Sequence, residues 1–169
     1  MPHSVPVSKV MIPSSEWPQF RANTPVSTAI KILRILSEDE KLEHGHSTPL
    51  VLDDDYKPLG LIRLVDLLKN VRHLCEQTGK PAELGAATTP VKDLVIPFAG
   101  SVEPEDSILK ALDIMMDHGV SLVAVTKDGK LKGMVKLSDI FNTVASLLFD
   151  EEDPEKRSQI MKHLHWWSD

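Results

Sequence analysis

Three blocks of this 169-residue chain occur twice in the same order, and this internal repeat constrains the fold more than any other feature. The paired blocks are residues 6–13 with 90–97, 24–30 with 103–109, and 60–68 with 133–141. The last pair shares the pattern Gly-h-h-x-Leu-x-Asp-h-h, where h is an apolar residue. Since insertions fall only between blocks, we expect two copies of one structural unit packed against each other.

The separation between matching residues falls from 84 to 79 and then to 73 along the chain. These two drops place the extra residues of the first copy near residues 14–19 and 37–46. In the middle block this alignment matches Pro25 with Pro104.

Each copy has the pattern of a strand, a helix, two strands and a second helix. A short apolar segment ends at a proline, at Pro13 and again at Pro97, and an apolar stripe at helical spacing follows. Two apolar strands then flank a polar turn, which in the second copy is the hairpin signal Asp128-Gly129. The predicted fold class is α+β, with two β-α-β-β-α repeats whose last helices cover residues 64–74 and 137–148.

Differences in amino-acid composition along the sequence divide the chain into four parts. Residues 1–74 are predicted to form the first repeat and residues 90–149 the second. Residues 75–89, rich in Gly, Pro and Thr, are predicted to be a linker. Residues 150–169 begin with an acidic break and continue as a predicted amphipathic helix.

The repeated order and the Gly-h-h-x-Leu-x-Asp-h-h motif resemble the CBS domain pair, or Bateman module, over about residues 7–148. The resemblance implies two halves related by a pseudo-two-fold axis, and clefts between them that bind AMP, ADP or ATP. It also implies a homodimer and a regulatory role, not catalysis, since most members control another protein. The protein regulated here stays unknown.

An aspartate stands six residues after the motif glycine in each copy, at Asp66 and Asp139. In the first turn of a helix, a carboxylate can accept hydrogen bonds from both ribose hydroxyls, and the helix N-terminus favours phosphate. An acid in a first turn also simply complements the helix dipole. Both interpretations stay open.

Three residues before each aspartate, the family usually has Thr or Ser, whereas this chain has Arg63 and Lys136. The hydroxyl normally aimed at the ligand is therefore missing in both copies. A cation beside the helix N-terminus is expected to meet phosphate. The alternative is a solvated basic side chain.

The other candidate ligand contacts follow from the resemblance. They are Thr48 and Ser121 at the base pocket, Val120 and Met134 as apolar walls for adenine, and Ser138 near a phosphate. Val65, the counterpart of Ser138, has no hydroxyl, so the two clefts are predicted to be unequal and the second copy better equipped.

Composition argues against several classes of protein. A net charge of −6 disfavours nucleic acids and anionic membranes as partners, and no apolar run is long enough to span a bilayer. The single cysteine, Cys75, cannot form a disulfide within the chain, which favours the cytoplasm. No Gly-rich phosphate loop, nucleophile elbow or catalytic carboxylate pair is present, so no enzyme and no required cofactor are predicted.

Two weaker signals in the sequence suggest metal binding. The His44–His46 and His163–His165 pairs lack further ligands, and residues 53–55 are interpreted as a solvated turn, not a calcium loop.

The alternative function is a CBS scaffold that binds no ligand and mediates dimerisation or protein–protein interaction. The reason for this alternative is that both positions where the family has a hydroxyl residue are basic in this chain.

Overall fold

The computed structural model describes residues 5–38, 48–79 and 89–148. The first copy contains β1 (Ile12–Pro13), β2 (Gln19–Arg21), α1 (Val26–Glu38), β3 (Leu50–Leu52), β4 (Pro58–Leu61) and α2 (Leu64–Thr78). The second copy contains β5 (Ser101–Val102), α3 (Ile108–His118), β6 (Leu122–Lys127), β7 (Lys130–Lys136) and α4 (Leu137–Leu148). The α+β class and the repeat are confirmed.

The two copies build matching sheets. In the first, β2 runs parallel to β3, which pairs antiparallel with β4. In the second, β5 runs parallel to β6, which pairs antiparallel with β7. The predicted order of strand, helix, strand, strand and helix is therefore confirmed, but the strand that precedes the first helix is β2 or β5. The apolar segment that ends at Pro13 or Pro97 has a different role.

The proline-ended segments cross to the opposite copy. β1 pairs antiparallel with β7, so that Ile12 lies opposite Met134. In the same way Ile96 exchanges two backbone hydrogen bonds with Leu61 of the first copy, at 3.0 and 2.8 Å. The sheet of each copy is thus extended by the leading segment of the other.

Further backbone pairs show that the middle sequence blocks were aligned wrongly. Pro6 bridges Ser107, and its equivalent Pro90 bridges Pro25, so Pro25 corresponds to Ser107 with a separation of 82, not 79. The buried helix positions agree with this, since Val26 corresponds to Ile108. The apolar face of the helix, not its nearby prolines, sets the equivalence.

Among the described residues, apolar side chains form one core around each sheet and a third core between the copies. The inter-copy core contains Ile12, Trp17, Leu50, Ala124 and Met134, which come from both copies. No buried polar or charged residue is found within the three described ranges. Burial of these side chains is the main favourable contribution to packing the copies together.

One predicted helix is longer than expected, and two predicted segments lie mostly or wholly outside the described residues. The helix predicted to end at Leu74 continues to Thr78 and stops at Gly79, which adopts the left-handed conformation with φ 67°. Most of the predicted linker and the C-terminal helix after the acidic break lie outside the described residues. Within those residues, no helix is long and apolar enough to cross a bilayer.

The motif glycines allow the crossed segments to approach. A Cβ atom on Gly133 would overlap the carbonyl oxygen of Ile12, and one on Gly60 would overlap that of Ile96. Because both obstacles are backbone atoms paired to a neighbouring strand, they cannot rotate away as a side chain could.

Gly133→Ala is expected to lower the free energy of unfolding by about 3 kcal/mol, because the added methyl forces β1 away from β7. The matched control is Gly79→Ala, where nothing lies within 4 Å and only the positive φ is strained, at a cost of roughly 1 kcal/mol. Urea denaturation measures both. An equal or smaller loss for Gly133→Ala would contradict this account of the crossing.

Candidate functional site

The repeated motif folds into the junction between a strand and the last helix of each copy. In the first copy β4 leads to Arg63, which has extended backbone (φ −91°, ψ 146°) and precedes the first turn of α2. In the second copy β7 ends at Lys136 and α4 begins at the next residue. Asp66 and Asp139 therefore both lie in a first helical turn, as predicted.

Asp66 is bound by its neighbour Arg63. The Nε atom of Arg63 donates to Oδ2 at 2.7 Å and an Nη atom donates to Oδ1 at 3.0 Å, a two-pronged contact. Lys69 lies on the next turn, with its Nζ 3.9 Å from Oδ1. The Asp66 side chain is only 16% exposed to solvent, whereas the Arg63 side chain is 51% exposed.

These contacts favour the ionised carboxylate. The two hydrogen bonds from Arg63 lower the pKa of Asp66 below its ordinary value, against the opposing effect of partial burial. Since the folded-state pKa is lowered, the stabilisation is present above the ordinary aspartate pKa and is lost as pH falls through the lowered one. Asp66 is therefore charged and paired at neutral pH.

Asp139 has a looser environment. The Nζ of Lys136 lies 3.7 Å from its Oδ2, an ion pair without hydrogen-bond geometry. Oδ2 is buried, and among the described residues no group donates a hydrogen bond to it. A buried carboxylate oxygen without a hydrogen bond is costly, so Oδ2 has acceptor capacity in addition to its ion pair with Lys136.

A cavity of about 650 Å3 lies at the start of α4, within the size range of small-molecule sites, and Asp139 itself is not among the residues that line it. Both copies contribute to its walls. The lining residues are Trp17, Thr48, Ser121, Leu122, Lys136, Leu137, Ser138, Phe141 and Asn142. Four predicted site residues, Thr48, Ser121, Lys136 and Ser138, are therefore brought together from separate parts of the chain.

Other predicted residues lie elsewhere. Met134 is fully buried in the inter-copy core, and Val120 packs half-buried against the core of the second copy. Arg63 and Asp66 lie at the equivalent junction of the first copy. The second junction therefore has the cavity along Lys136, Leu137 and Ser138, and in the same turn Asp139, whose side chain does not line the cavity.

Sequence reasoning missed Trp17 and Phe141. Trp17 is only 4% exposed, and its Nε1 donates to the backbone oxygen of Thr48 at 2.9 Å, which fixes the entry to β3. Trp17 lies outside the repeated blocks, so the repeat gave no signal for it. Phe141 is the final apolar residue of the motif, so its position in the repeat could have identified it as a candidate site residue.

No cluster of three potential metal ligands occurs in residues 5–38, 48–79 and 89–148. The four histidines of the two discounted pairs lie outside these ranges. Residues 53–55 form the predicted turn, since Oδ1 of Asp53 accepts hydrogen bonds from the backbone N–H groups of Asp55 and Lys57, both at 2.8 Å.

Comparison with known families and structures gives the same division into two copies. A family model described as the CBS domain matches residues 7–73 and again residues 88–146. A comparison with curated protein sequences found no significant match.

Solved structures similar to this chain are CBS-domain proteins. A CBS domain-containing protein of unknown function from Bacillus anthracis is 22% identical, with a TM-score of 0.65, over 86% of this chain and 96% of that one. The CBS domain of a bacterial CNNM/CorC family Mg2+ transporter is 18% identical, with a TM-score of 0.66, over 90% and 80%. CBSX2 in complex with AMP is 19% identical, with a TM-score of 0.61, over 85% and 98%. At these identities the likeness concerns the fold.

Arg63→Gln is expected to raise the pKa of the Asp66 carboxyl, because it removes the two hydrogen bonds that stabilise the ionised form. Lys69→Gln is the control and is expected to raise the pKa less, since Lys69 acts only through its charge at 3.9 Å. Carbon-13 NMR titration of the Asp66 carboxyl measures both. A larger effect of Lys69→Gln would show that the two-pronged contact does not form in solution.

Proposed function

The chain belongs to the CBS domain family, and from that premise we propose that it is a regulatory module that binds an adenosine nucleotide, AMP, ADP or ATP. The observation that carries the proposal is the cavity of about 650 Å3 at the start of α4, which Lys136 and Ser138 line. Asp139 is the next residue of that turn, and its buried Oδ2 accepts no hydrogen bond from the described residues. Ribose hydroxyls are donors of the kind that this carboxylate needs. We further propose that the module acts in the cytoplasm and does not itself catalyse a reaction.

Each side of the cavity suits one part of a nucleotide. Asp139 would accept hydrogen bonds from the ribose hydroxyls. Lys136 and Ser138, at the N-terminus of α4, would meet phosphate with a cation, a hydroxyl and the positive end of the helix dipole. Thr48 and Ser121 would lie along the base.

The apolar part of the cavity would hold the faces of the adenine ring. Trp17 and Leu122 line it, and both pack against the inter-copy core that contains Met134. Met134 would therefore support the base wall from behind, and Val120 would do so beside Ser121. Aromatic and aliphatic walls with a few fixed polar groups are typical of nucleotide-sized sites.

Regulation would follow from the position of the cavity between the copies. A ligand shifts a conformational equilibrium only by its different affinity for the two states. Because Thr48 comes from the first copy and Lys136 from the second, a bound nucleotide would favour one arrangement of the two over others. A protein partner that reads this arrangement is not identified. CBSX2, of similar fold, has been solved with AMP, which supports the nucleotide class.

Calorimetric titration with AMP, ADP and ATP tests the proposal. Asp139→Ala is expected to weaken binding by roughly 100-fold, because two charge-assisted hydrogen bonds are lost. The control Asp113→Ala removes the same charge from an exposed position of α3 and is expected to bind like the wild type. Unchanged binding by Asp139→Ala would reject the site.

A ligand-free scaffold is the second candidate function. It is favoured by the basic residues at both positions where the family has a hydroxyl, one of which already bonds the aspartate that would hold ribose. Absence of heat and of any thermal shift with all three nucleotides would support the scaffold over the sensor.

We include self-association into a homodimer in the proposal. Exposed apolar side chains occur on each of the four helices that the structure describes, among them Ile35, Leu68, Met116 and Leu148, and a second copy would cover some of them. Sedimentation velocity is expected to give the mass of two chains, and Ile35→Lys to shift it toward one, while Lys31→Arg on the same helix leaves it unchanged. A monomer at all concentrations would contradict this.

A further inference from the structure

The two equivalent carboxylates, Asp66 and Asp139, differ in the cationic side chain that contacts them. Asp66 receives hydrogen bonds on both of its oxygens from one guanidinium, at 2.7 and 3.0 Å. Asp139 faces an ammonium group at 3.7 Å, and within the described ranges its Oδ2 accepts no hydrogen bond. The sequence difference behind this contrast is Arg63 in one copy and Lys136 in the other.

We infer that Arg63 blocks the ribose site of the first copy, so that one chain binds one nucleotide, at Asp139. This inference rests on the proposed function. Arg63 is then a residue that decides which of the two equivalent carboxylates can bind ribose, because it competes with the ligand for Asp66.

The geometry explains why an arginine can act in this way. A guanidinium presents two parallel N–H groups that match the two oxygens of a carboxylate. The two hydroxyls of a ribose would approach the same pair of oxygens, so Arg63 and ribose compete for the same acceptors. An ammonium group makes point contacts, and Lys136 therefore leaves hydrogen-bonding capacity on Asp139.

The competition favours the arginine. Both hydrogen bonds from Arg63 carry charge on donor and acceptor, whereas ribose hydroxyls are neutral donors. Arg63 lies only three residues before Asp66 and needs no second molecule, so its local concentration is fixed by the chain. An isolated surface pair contributes little, but a two-pronged arginine–carboxylate contact is the arrangement in which such a pair is significant.

The surroundings of Asp66 also fit a closed site. Val65 stands where the second copy has Ser138, so no hydroxyl is available there for a phosphate. Lys69 adds a second cation, 3.9 Å from Oδ1, where the second copy has Asn142. The first junction therefore supplies hydrogen bonds to both oxygens of its carboxylate, whereas the second gives Oδ2 of Asp139 an ion pair and no hydrogen bond from the described residues.

The half-exposed position of Arg63 makes the block removable without disturbing the core. Arg63→Thr restores the hydroxyl residue that the family usually has at this position and frees both oxygens of Asp66. It is expected to create a second nucleotide site in each chain. Arg72→Thr is the matched control, because Arg72 lies on the same helix and pairs with Glu76 at 2.9 Å, away from Asp66.

Calorimetric titration with AMP and with ATP gives the number of sites per chain. We expect one site in the wild type, in Asp66→Ala and in Arg72→Thr, and two sites in Arg63→Thr. The double variant Arg63→Thr/Asp66→Ala is expected to return to one site, which shows that the gained site uses Asp66. The affinity of the original site is expected to change less than threefold in all four variants.

The outcomes separate this inference from the proposed function. Two sites in the wild type, loss of binding in Asp66→Ala, or no second site in a folded Arg63→Thr would each overturn the block by Arg63 while nucleotide binding stands. No heat from either nucleotide with the wild type, at protein and ligand concentrations that would detect a millimolar Kd, would overturn the proposed function and this inference with it.

Discussion

The fold depends on the exchange of two short backbone segments between the copies. Ile12 pairs with Met134 of the second copy, and Ile96 pairs with Leu61 of the first. Each sheet is therefore completed by the other copy, and its edge is covered where it would otherwise expose unpaired N–H and C=O groups. The copies are joined by backbone hydrogen bonds as well as by side-chain burial, which gives them a defined relative position.

The exchange of backbone segments between the copies also forms one wall of the candidate site. Because β1 pairs with β7, the segment that follows β1 brings Trp17 to the boundary between the copies, where it packs with Leu50 and Met134. The indole holds the backbone of Thr48, and the cavity opens between this point and the start of α4. A site whose two walls belong to different copies is suited to sensing, since a ligand there contacts both.

The same motif produces two chemically different environments. Backbone geometry places Asp66 and Asp139 in equivalent first turns, so the difference comes from the side chain three residues earlier. The planar guanidinium of Arg63 saturates one carboxylate, while the ammonium of Lys136 leaves an oxygen of the other without a donor among the described groups. A substitution that conserves charge thus has unequal consequences, because the two cations differ in shape and number of aligned donors.

The sequence by itself determined the repeat, the α+β class, the order of elements and the junction that carries each aspartate, because these follow from local periodicity and from a motif that occurs twice. It also singled out Thr48, Ser121, Lys136 and Ser138, which the structure gathers at one cavity. Only the tertiary structure decided that the proline-ended segments cross over, that Trp17 lines the cavity, and that Met134 packs with Trp17 in the inter-copy core. Those features depend on contacts between the two copies or on Trp17, which lies outside the repeat, and no local pattern encodes which edge a two-residue strand will join.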